Sequence, residues 1–137
     1  MFAEFEKIIH EKMEAGEALT QREFERIYRD LNLKYFASQV TVDSDIDMEW
    51  ARIPHFYTSF YVYKYATGIS AATSLAQQIL TEGKPAVDRY MNFLSSGGSD
   101  YPLNLLKKAG VDLTSPGPIE DAMKVFEDTL NELEKLV

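Results

Sequence analysis

The chain of 137 residues contains no cysteine, which excludes a disulfide framework, a thiolate zinc site and a cysteine nucleophile. This composition is compatible with a reducing compartment, and we expect a cytoplasmic protein. Long apolar runs are also missing, since no stretch approaches the roughly 18 apolar residues of a membrane-spanning helix. The N-terminus carries Glu4 and Glu6 where a secretory signal has basic and then apolar residues. We therefore expect a soluble chain with no membrane partner.

Basic residues are scarce: 14 Lys and Arg stand against 22 Asp and Glu, and the formal net charge is −8. Proteins that bind nucleic acids gain affinity by placing Lys and Arg against phosphates, so we expect no nucleic-acid partner. Apolar residues make up 45% of the chain and charged residues 26%, which is an ordinary globular composition. The length predicts one domain over residues 1–137, with a sizeable core.

Four acidic residues fall in one seven-residue window that holds no basic residue: Asp43, Asp45, Asp47 and Glu49. A calcium loop of the helix–loop–helix kind needs glycine at its sixth position and glutamate at its twelfth. Counted from the first aspartate, these positions hold Met48 and Pro54. The calcium interpretation therefore fails, and the window is typical of a solvated loop.

Helix signals dominate the chain and predict an all-α fold. Thr20 and Glu23 match a capping box. After them, apolar residues repeat at helical spacing: Phe24, Ile27, Tyr28 and Leu31. Prolines near helix starts and glycines near helix ends mark further boundaries: Gly16, Gly83, Pro85, Gly97, Pro102 and Gly110. The stretch after the second helix is less regular, and Tyr35, Val40 and Val42 hint at extended structure there.

The longest helix candidate runs from about Ser59 to Leu80. Its second half is nearly all small: Ala66, Thr67, Gly68, Ser70, Ala71, Ala72, Thr73, Ser74 and Ala76. Small side chains let another backbone approach closely, so we expect this helix to be surrounded. Towards the C-terminus an apolar seam steps by four and three residues: Ile119, Met123, Phe126, Leu130, Leu133 and Val137. Such a short seam more often packs on its parent domain than forms a coiled coil.

The most informative stretch is 53–68, which holds His55, one of two histidines, and six of the sixteen Phe and Tyr residues. Four of its tyrosines lie within nine residues: Tyr57, Tyr61, Tyr63 and Tyr65. Phenol and imidazole groups at this density are costly in a core unless each polar atom finds a hydrogen-bond partner. The stretch is therefore either a costly core or a site that presents donors to a ligand.

Helical geometry separates these side chains, provided that the helix reaches back to residue 57. At 100° per residue, one narrow stripe then holds Tyr57, Tyr61, Tyr65 and Gly68. A second stripe is more apolar: Phe56, Phe60, Tyr63 and Thr67. This split favours core burial on the Phe60 side and a polar cavity on the Tyr61 side. Neutral imidazole and phenol groups are donors that an enzyme can aim at a forming oxyanion.

A second hypothesis concerns His10, because His10-Glu-Lys-Met-Glu14 is close to the helix motif of zinc proteases. That motif needs a second histidine four residues after the first, so that both imidazoles point at the metal from one helix face. Glu14 occupies that position here, and no pattern in the chain supplies a third ligand. We interpret the segment as a surface helix and expect the chain itself to bind no metal.

The chain as a whole resembles the C-terminal part of oligoendopeptidase F, in the zinc metallopeptidase family that also contains thimet oligopeptidase. The resemblance covers essentially the whole length, and as a combined pattern it is specific. These runs carry it: Met1–Glu6, Ile53–Tyr57, Phe60–Gly68, Ser70–Ala76, Gly83-Lys84, Tyr90–Ser99, Tyr101-Pro102 and Leu105–Leu113.

The resemblance implies an all-α segment of a larger helical zinc metallopeptidase catalytic domain, lining one wall of a deep channel. In that family a His-Glu-x-x-His helix and a later glutamate hold the zinc, which activates water against a peptide bond. A later histidine and nearby tyrosines bind substrate and stabilise the tetrahedral intermediate. By position His55 matches that histidine. The resemblance makes Tyr57, Tyr61 and Tyr65 the best candidates for the catalytic phenols, and Tyr63 a weaker, substrate-binding one.

Two departures from the family pattern affect what is expected. The thimet branch has a Gly-rich loop after the histidine, whereas residues 56–59 here read Phe-Tyr-Thr-Ser. The zinc-binding helix, its catalytic glutamate and the third ligand are absent, and in the family they lie upstream of the point where this chain begins. We therefore expect a C-terminal fragment that self-associates through exposed apolar surface. Its expected partners are a short peptide substrate and the missing N-terminal part of the same enzyme.

The predicted function is thus that of the substrate-binding part of a zinc-dependent oligoendopeptidase that hydrolyses short peptides. Zinc belongs to the parent enzyme, and the isolated chain is predicted to be inactive. The alternative is a stand-alone α-helical protein-interaction module without catalysis, whose aromatic stretch is core and whose terminal seam binds a partner. The exposure of the aromatic side chains distinguishes the two hypotheses. A fragment leaves His55 and the Tyr61–Tyr65 stripe open, whereas a stand-alone module buries them.

Overall fold

The computed structural model describes residues 1–36 and 40–137, and this part of the chain contains no strand. Its α-helices are α1 (Phe2–Glu14), α2 (Gln21–Phe36), α3 (Tyr63–Glu82), α4 (Lys84–Ser95), α5 (Pro102–Ala109) and α6 (Gly117–Glu134). Two 3₁₀ helices, Ser44–Arg52 and Pro54–Tyr57, lie between α2 and α3. The prediction of an all-α fold is confirmed. None of the helices formed by the described residues is long and apolar enough to cross a membrane.

The chain divides into two compact units, Met1–Lys64 and Tyr65–Val137. The first contains α1, α2 and both 3₁₀ helices. The second contains α4, α5, α6 and nearly all of α3. Each unit has its own cluster of buried apolar residues. The expectation of a single domain over residues 1–137 stays a prediction.

The core of the first unit lies between α1 and α2. Phe5 of α1 is fully buried, and Ile27, Tyr28 and Leu31 of α2 are at most 4% exposed. The Phe5 ring meets the Tyr28 ring edge-on, with 5.1 Å between their centroids. Edge-to-face aromatic pairs of this kind add stability beyond the area that they bury. The predicted apolar stripe of α2 is therefore the face that packs on α1.

The acidic window is not a solvated loop, because it forms the 3₁₀ helix Ser44–Arg52 and two of its acids bond to α2. The Tyr28 hydroxyl donates to Glu49 Oε2 at 2.7 Å, and Arg29 forms an ion pair with Asp47 at 3.1 Å. Burial, and then the bond to Glu49, raise the pKa of Tyr28. The solvated-loop interpretation is therefore wrong. The residues that bond to Glu49 and Asp47 belong to α2, which lies outside the window, so the window by itself does not reveal them.

The hint of extended structure at Tyr35 is also wrong, because α2 continues to Phe36. Lys34 Nζ and the Tyr35 hydroxyl both donate to the carboxylate of Glu4 on α1, at 2.7 and 2.8 Å. Contacts with a residue about 30 positions away therefore hold the last turn of α2. Residues 37–39, which belong to the same irregular stretch, lie outside the described residues.

The core of the second unit consists of four buried residues: Ala71, Leu75, Ala109 and Val111. Gly110 ends α5 with a φ of +102°, in the left-handed region that glycine adopts without strain. A Cβ atom at this position would lie 2.4 Å from Oε1 of Gln78 on α3. Glycine therefore ends α5 as predicted, and it also allows the close approach to α3.

One side of α3 is open within the second unit, although its small residues predicted a surrounded helix. A cavity of about 460 Å³ lies along this side, and we call it the α3 groove. Ala72 and Ala76 of α3 line the groove and are exposed. Tyr90 and Phe93 of α4 form part of its other wall. The described residues of this unit therefore do not supply the close neighbour that the small side chains would admit.

The apolar seam of α6 is also open, in contrast to the expectation that it packs on the parent domain. Helix α6 is tied to α3 from another side, where the Ser74 hydroxyl donates to Asp121 Oδ2 at 2.8 Å. Every seam residue is at least 44% exposed: Ile119, Met123, Phe126, Leu130, Leu133 and Val137. We call these six residues the α6 face.

Replacing Tyr28 with Phe removes the hydroxyl that bonds to Glu49 and leaves the ring in place. We expect the free energy of unfolding to fall by about 1.5–3 kcal/mol, the usual range for a hydrogen bond to a charged group. Urea unfolding followed by circular dichroism measures this change. Tyr35→Phe is the matched control, because that hydroxyl bonds to Glu4 on an exposed surface, and its expected loss is below about 0.5 kcal/mol. Equal decreases in the free energy of unfolding for the two variants would contradict the larger contribution that we assign to the hydrogen bond of the buried Tyr28.

Asp100, just before α5, is expected to make the stability of the second unit pH-dependent. Bonds from Lys108, from Asn104 and from a backbone N–H lower the pKa of Asp100 from 3.8 to about 2. Because the folded state holds this proton more weakly than the unfolded chain, the stabilisation is complete above about pH 4 and lost towards about pH 2.

Asp100→Asn removes this dependence, so unfolding takes up about one proton fewer over that range. Urea midpoints measured at several pH values across the range give the slope. Lys108→Met, which removes the largest cause of the shift, is expected to flatten the slope by an intermediate amount. A slope that stays unchanged in Asp100→Asn would refute the assignment.

Candidate functional site

The short 3₁₀ helix Pro54–Tyr57 carries the first two predicted site residues. Phe56 points into the core of the first unit, where its ring centroid lies 5.1 Å from that of Phe5. Because successive residues of a 3₁₀ helix are turned by about 120°, the neighbours His55 and Tyr57 face other directions. His55 is half-buried, and Tyr57 is 72% exposed.

A turn occupies the predicted start of the long helix, which was expected from about Ser59. The Tyr61 N–H donates to the Thr58 carbonyl at 3.2 Å, and α3 begins only at Tyr63. The helix therefore does not reach back to residue 57, and the condition for Tyr57 and Tyr65 to share one stripe is not met. The interruption lies in the backbone conformation of the turn, which the spacing of side chains does not reveal.

Phe60, the third residue of this turn, has a φ of +56°. The left-handed region costs a residue with a Cβ atom about 1–2 kcal/mol, and such strain persists only where surrounding contacts hold it. The Phe60 side chain is 44% exposed, so the predicted core burial is wrong for Phe60, whereas Phe56 of the same predicted stripe packs on the core. Its ring lies against His10 of α1, with 4.3 Å between the centroids.

Glu6 of α1 supplies a polar contact to the same turn. This residue is 1% exposed, and its Oε1 accepts a hydrogen bond from the Phe60 N–H at 2.7 Å. A buried carboxyl group needs such a partner. Sequence reasoning missed Glu6, although a signal exists: it lies within the apolar stripe of Phe2 and Ile9, where an acid is out of place.

Two of the predicted site residues, His55 and Tyr61, come together in the first unit. Their ring centroids lie 5.7 Å apart, and the ring planes are inclined by 31°. Tyr61 is 39% exposed, and Lys64 Nζ lies 5.0 Å from the centre of its ring. We call this partly open pair of rings the His55–Tyr61 face. An imidazole N–H and a phenol O–H are donors that can stabilise negative charge on a ligand oxygen.

Tyr57 already uses its hydroxyl proton within the first unit. The hydroxyl donates to the Ala51 carbonyl of the preceding 3₁₀ helix at 2.8 Å. The oxygen of a phenol also accepts hydrogen bonds, so this bond leaves acceptor capacity on Tyr57. Donation to a ligand would require the bond to Ala51 to break.

The other two tyrosines belong to the first turn of α3. Tyr63 is 48% exposed and Tyr65 is 58% exposed. Residues two positions apart on an α-helix point about 200° away from each other, so the two side chains leave different sides of the helix. Tyr65 is the first residue of the second unit. The functional roles of these tyrosines, of Tyr57 and Tyr61, and of His55 stay predictions.

The described residues do not fit a metal site by themselves. No group of three or more His, Cys, Asp or Glu side chains in residues 1–36 and 40–137 is placed to hold a metal ion. His10, considered above with Glu14 as a pair of ligands, has its ring against Phe60. That the chain binds no metal stays a prediction.

Comparison with known proteins assigns the chain to a family. A family model described as Peptidase family M3 matches residues 1–125, which is most of the chain. The chain belongs to peptidase family M3. The M3 match includes α1 to α5, both 3₁₀ helices and the first half of α6, so all the residues of the candidate site lie inside it.

Relatives of this M3 chain align over nearly all of its residues. It is 58% identical over 137 residues to oligopeptidase PepF of Bacillus subtilis (strain 168), covering 100% of this chain and 20% of that protein. It is 46% identical over 136 residues to the plasmid-encoded oligoendopeptidase F of Lactococcus lactis subsp. cremoris, covering 99% of this chain and 23% of that protein.

A solved structure agrees with these relatives. The crystal structure of oligoendopeptidase-F from Enterococcus faecium is 48% identical to this M3 chain and matches it with a TM-score of 0.90. The match covers 98% of this chain and 26% of that one. The resemblance to the oligoendopeptidase F family is therefore confirmed, and the chain spans about a fifth to a quarter of the length of these relatives.

Proposed function

We propose that this M3 chain is the C-terminal, substrate-binding part of a zinc-dependent oligoendopeptidase that hydrolyses short peptides. One observation carries the proposal: the rings of His55 and Tyr61 lie side by side, 5.7 Å apart, on a partly open face. A module that used its aromatic stretch as core would bury these rings. The names of the relatives support the class of reaction, and the lack of cysteine supports a cytoplasmic location.

The roles proposed for the site residues follow from the hydrogen bonds that their side chains can donate. The His55 imidazole and the Tyr61 hydroxyl donate to the carbonyl oxygen of the peptide, and these bonds strengthen as that oxygen gains negative charge. Tyr65, on α3, is a further candidate for such a phenol. Tyr57 is another candidate, and its donation to a ligand would require its bond to the Ala51 carbonyl to break. Tyr63 is proposed to contact the substrate without taking part in the reaction.

The zinc of the proposed enzyme is held by residues outside this chain, as the family resemblance implies. The described residues include no cluster of three ligands. The contribution proposed for this chain is to bind the peptide and to orient its carbonyl group towards the donors of the His55–Tyr61 face. We therefore propose that the isolated chain hydrolyses no peptide, even when zinc is added.

The remainder of the proposed enzyme is expected to cover the apolar surfaces that the second unit leaves open. These surfaces are the α3 groove and the α6 face. Contiguous exposed apolar surface is typical of a site that binds another polypeptide. The chain spans 20% of its Bacillus subtilis relative, so four-fifths of that relative's length lies outside the matched segment. Without this cover, we propose that the chain self-associates.

The second candidate function is the stand-alone interaction module without catalysis. The open α6 face favours it, since five of its apolar residues lie at helical spacing on α6 and are suited to packing against a partner helix. The partly open His55–Tyr61 face does not, because a module that used its aromatic stretch as core would bury both rings. For that reason the peptidase function is the one that we propose.

The activity prediction concerns the complete peptidase in which this segment lies. His55→Ala and Tyr61→Phe are each expected to lower kcat by about 10²–10³, the usual effect of removing one donor to a developing oxyanion. Steady-state cleavage of a short fluorogenic peptide measures this effect. A chelator is expected to abolish the activity of the unaltered enzyme.

Tyr101→Phe is the matched control for Tyr61→Phe, because Tyr101 is 80% exposed and belongs to neither stripe. It is expected to keep the full kcat. Full activity in both His55→Ala and Tyr61→Phe would refute the proposed function. Zinc-dependent turnover by the isolated chain, abolished by a chelator, would refute the separation of metal site and substrate site.

The self-association prediction concerns the isolated chain. Its weight-average mass in sedimentation is expected to rise above 15.6 kDa with concentration, because association removes apolar surface from water. Phe126→Glu places a charge in the middle of the α6 face and is expected to return the mass towards the monomer value. Asn131→Glu adds the same charge away from that face and is the matched control. Equal masses for the two variants would show that the α6 face is not the contact surface.

A further inference from the structure

We propose that Glu6 is a positioning residue, whose buried carboxyl group holds the Thr58–Tyr61 turn in the conformation that sets Tyr61 beside His55. This inference rests on the proposed peptidase function, because it assigns a task to a residue outside the His55–Tyr61 face. Glu6 lies on α1, 54 positions before its partner Phe60. No motif of the sequence connects the two.

The turn itself provides no acceptor for the Phe60 N–H. Its internal hydrogen bond runs from the Tyr61 N–H to the Thr58 carbonyl, and within the turn only Phe60, at the third position, has a positive φ. This combination is typical of a type II turn, in which the third position normally holds glycine. The N–H of that residue is not used by the turn. Oε1 of Glu6 accepts its hydrogen bond at 2.7 Å.

Because Glu6 is buried, its hydrogen bond to the Phe60 N–H is difficult to replace. The residue is 1% exposed, so its carboxyl group has little water to bond to instead, and losing the Phe60 N–H would leave a buried acceptor without that partner. Helix α1 is itself held by Phe5, which is fully buried in the core. The acceptor therefore stands on a rigid support, as a positioning residue requires.

A second contact from the same helix reinforces the first. His10 lies one turn after Glu6 on α1, and its ring centroid is 4.3 Å from that of Phe60. One helix thus holds both the backbone and the side chain of Phe60. Tyr61 follows directly in the chain, so a change of Phe60 to a negative φ would redirect its backbone and move its ring from His55.

The test uses the complete peptidase and the variant Glu6→Met, which keeps an apolar side chain of similar length but removes the acceptor. We expect kcat for a short peptide to fall at least about tenfold while KM changes less than about threefold, because an interaction of the transition state is lost. Hydrogen–deuterium exchange of the peptide spanning 58–62 is expected to accelerate. Glu6→Gln keeps a carbonyl oxygen at the same place and is expected to recover most of both losses.

The matched control is Glu11→Met, the same change on the same helix at a side chain that is 62% exposed. It is expected to alter neither kcat nor the exchange of residues 58–62. Phe60→Gly provides a second test, which holds even where Glu6→Met alone fails to fold. Glycine adopts a positive φ without strain, so Glu6→Met is expected to cost less than about threefold in kcat in that background.

The outcomes separate this inference from the proposed function. A Glu6→Met enzyme with faster exchange at 58–62 but unchanged kcat would overturn the positioning role, while an inactive His55→Ala enzyme would leave the peptidase function standing. Equal losses for Glu6→Met in the unaltered enzyme and in the Phe60→Gly background would also overturn it, as would equal losses for Glu6→Gln and Glu6→Met. Full activity in both His55→Ala and Tyr61→Phe would overturn the proposed function and this inference together.

Discussion

The insertion of Phe56 into the core of the first unit is the constraint on which the candidate site depends. Its ring packs on those of Phe5 and Phe2, at 5.1 and 5.7 Å between centroids, and so joins a short 3₁₀ helix to α1. A residue fixed in this way also fixes the directions of its two neighbours, because a 3₁₀ helix turns by about 120° per residue. The orientations of His55 and Tyr57 therefore follow from the burial of an apolar ring.

Polar contacts of buried groups then attach the irregular segments to the helices. The Tyr28 hydroxyl bonds to Glu49 and holds the acidic 3₁₀ helix, and the Glu6 carboxyl group bonds to the Phe60 N–H and holds the turn before α3. Both anchors lie in the α1–α2 core, where an unpaired polar group is costly. A rigid pair of helices thus carries the segments that hold the proposed functional groups, an arrangement that proteins commonly use.

The second unit combines a small core with open apolar surface, in the α3 groove and on the α6 face. The small residues of α3 permit a close neighbour. The periodicity of a helix, however, indicates only that one of its sides is apolar, and it does not identify the partner that covers that side. For this reason the expectations of a surrounded α3 and of a packed seam both differ from the structure. In the matched relatives, the segment that aligns with this chain belongs to a protein about four to five times as long.

Sequence by itself determined the all-α class, the family resemblance and those helix ends that proline or glycine marks, because caps, glycine stops and periodic apolar residues act over a few positions. It also named His55 and four tyrosines as candidates, of which the structure places Tyr61 beside His55. Only the tertiary structure decided the turn at Phe60, the burial of Glu6 and the partners of the acidic window. These features arise from contacts between residues roughly 20 to 50 positions apart, which leave no local pattern in the sequence. A left-handed phenylalanine in particular opposes local preference, so only its distant contacts could reveal it.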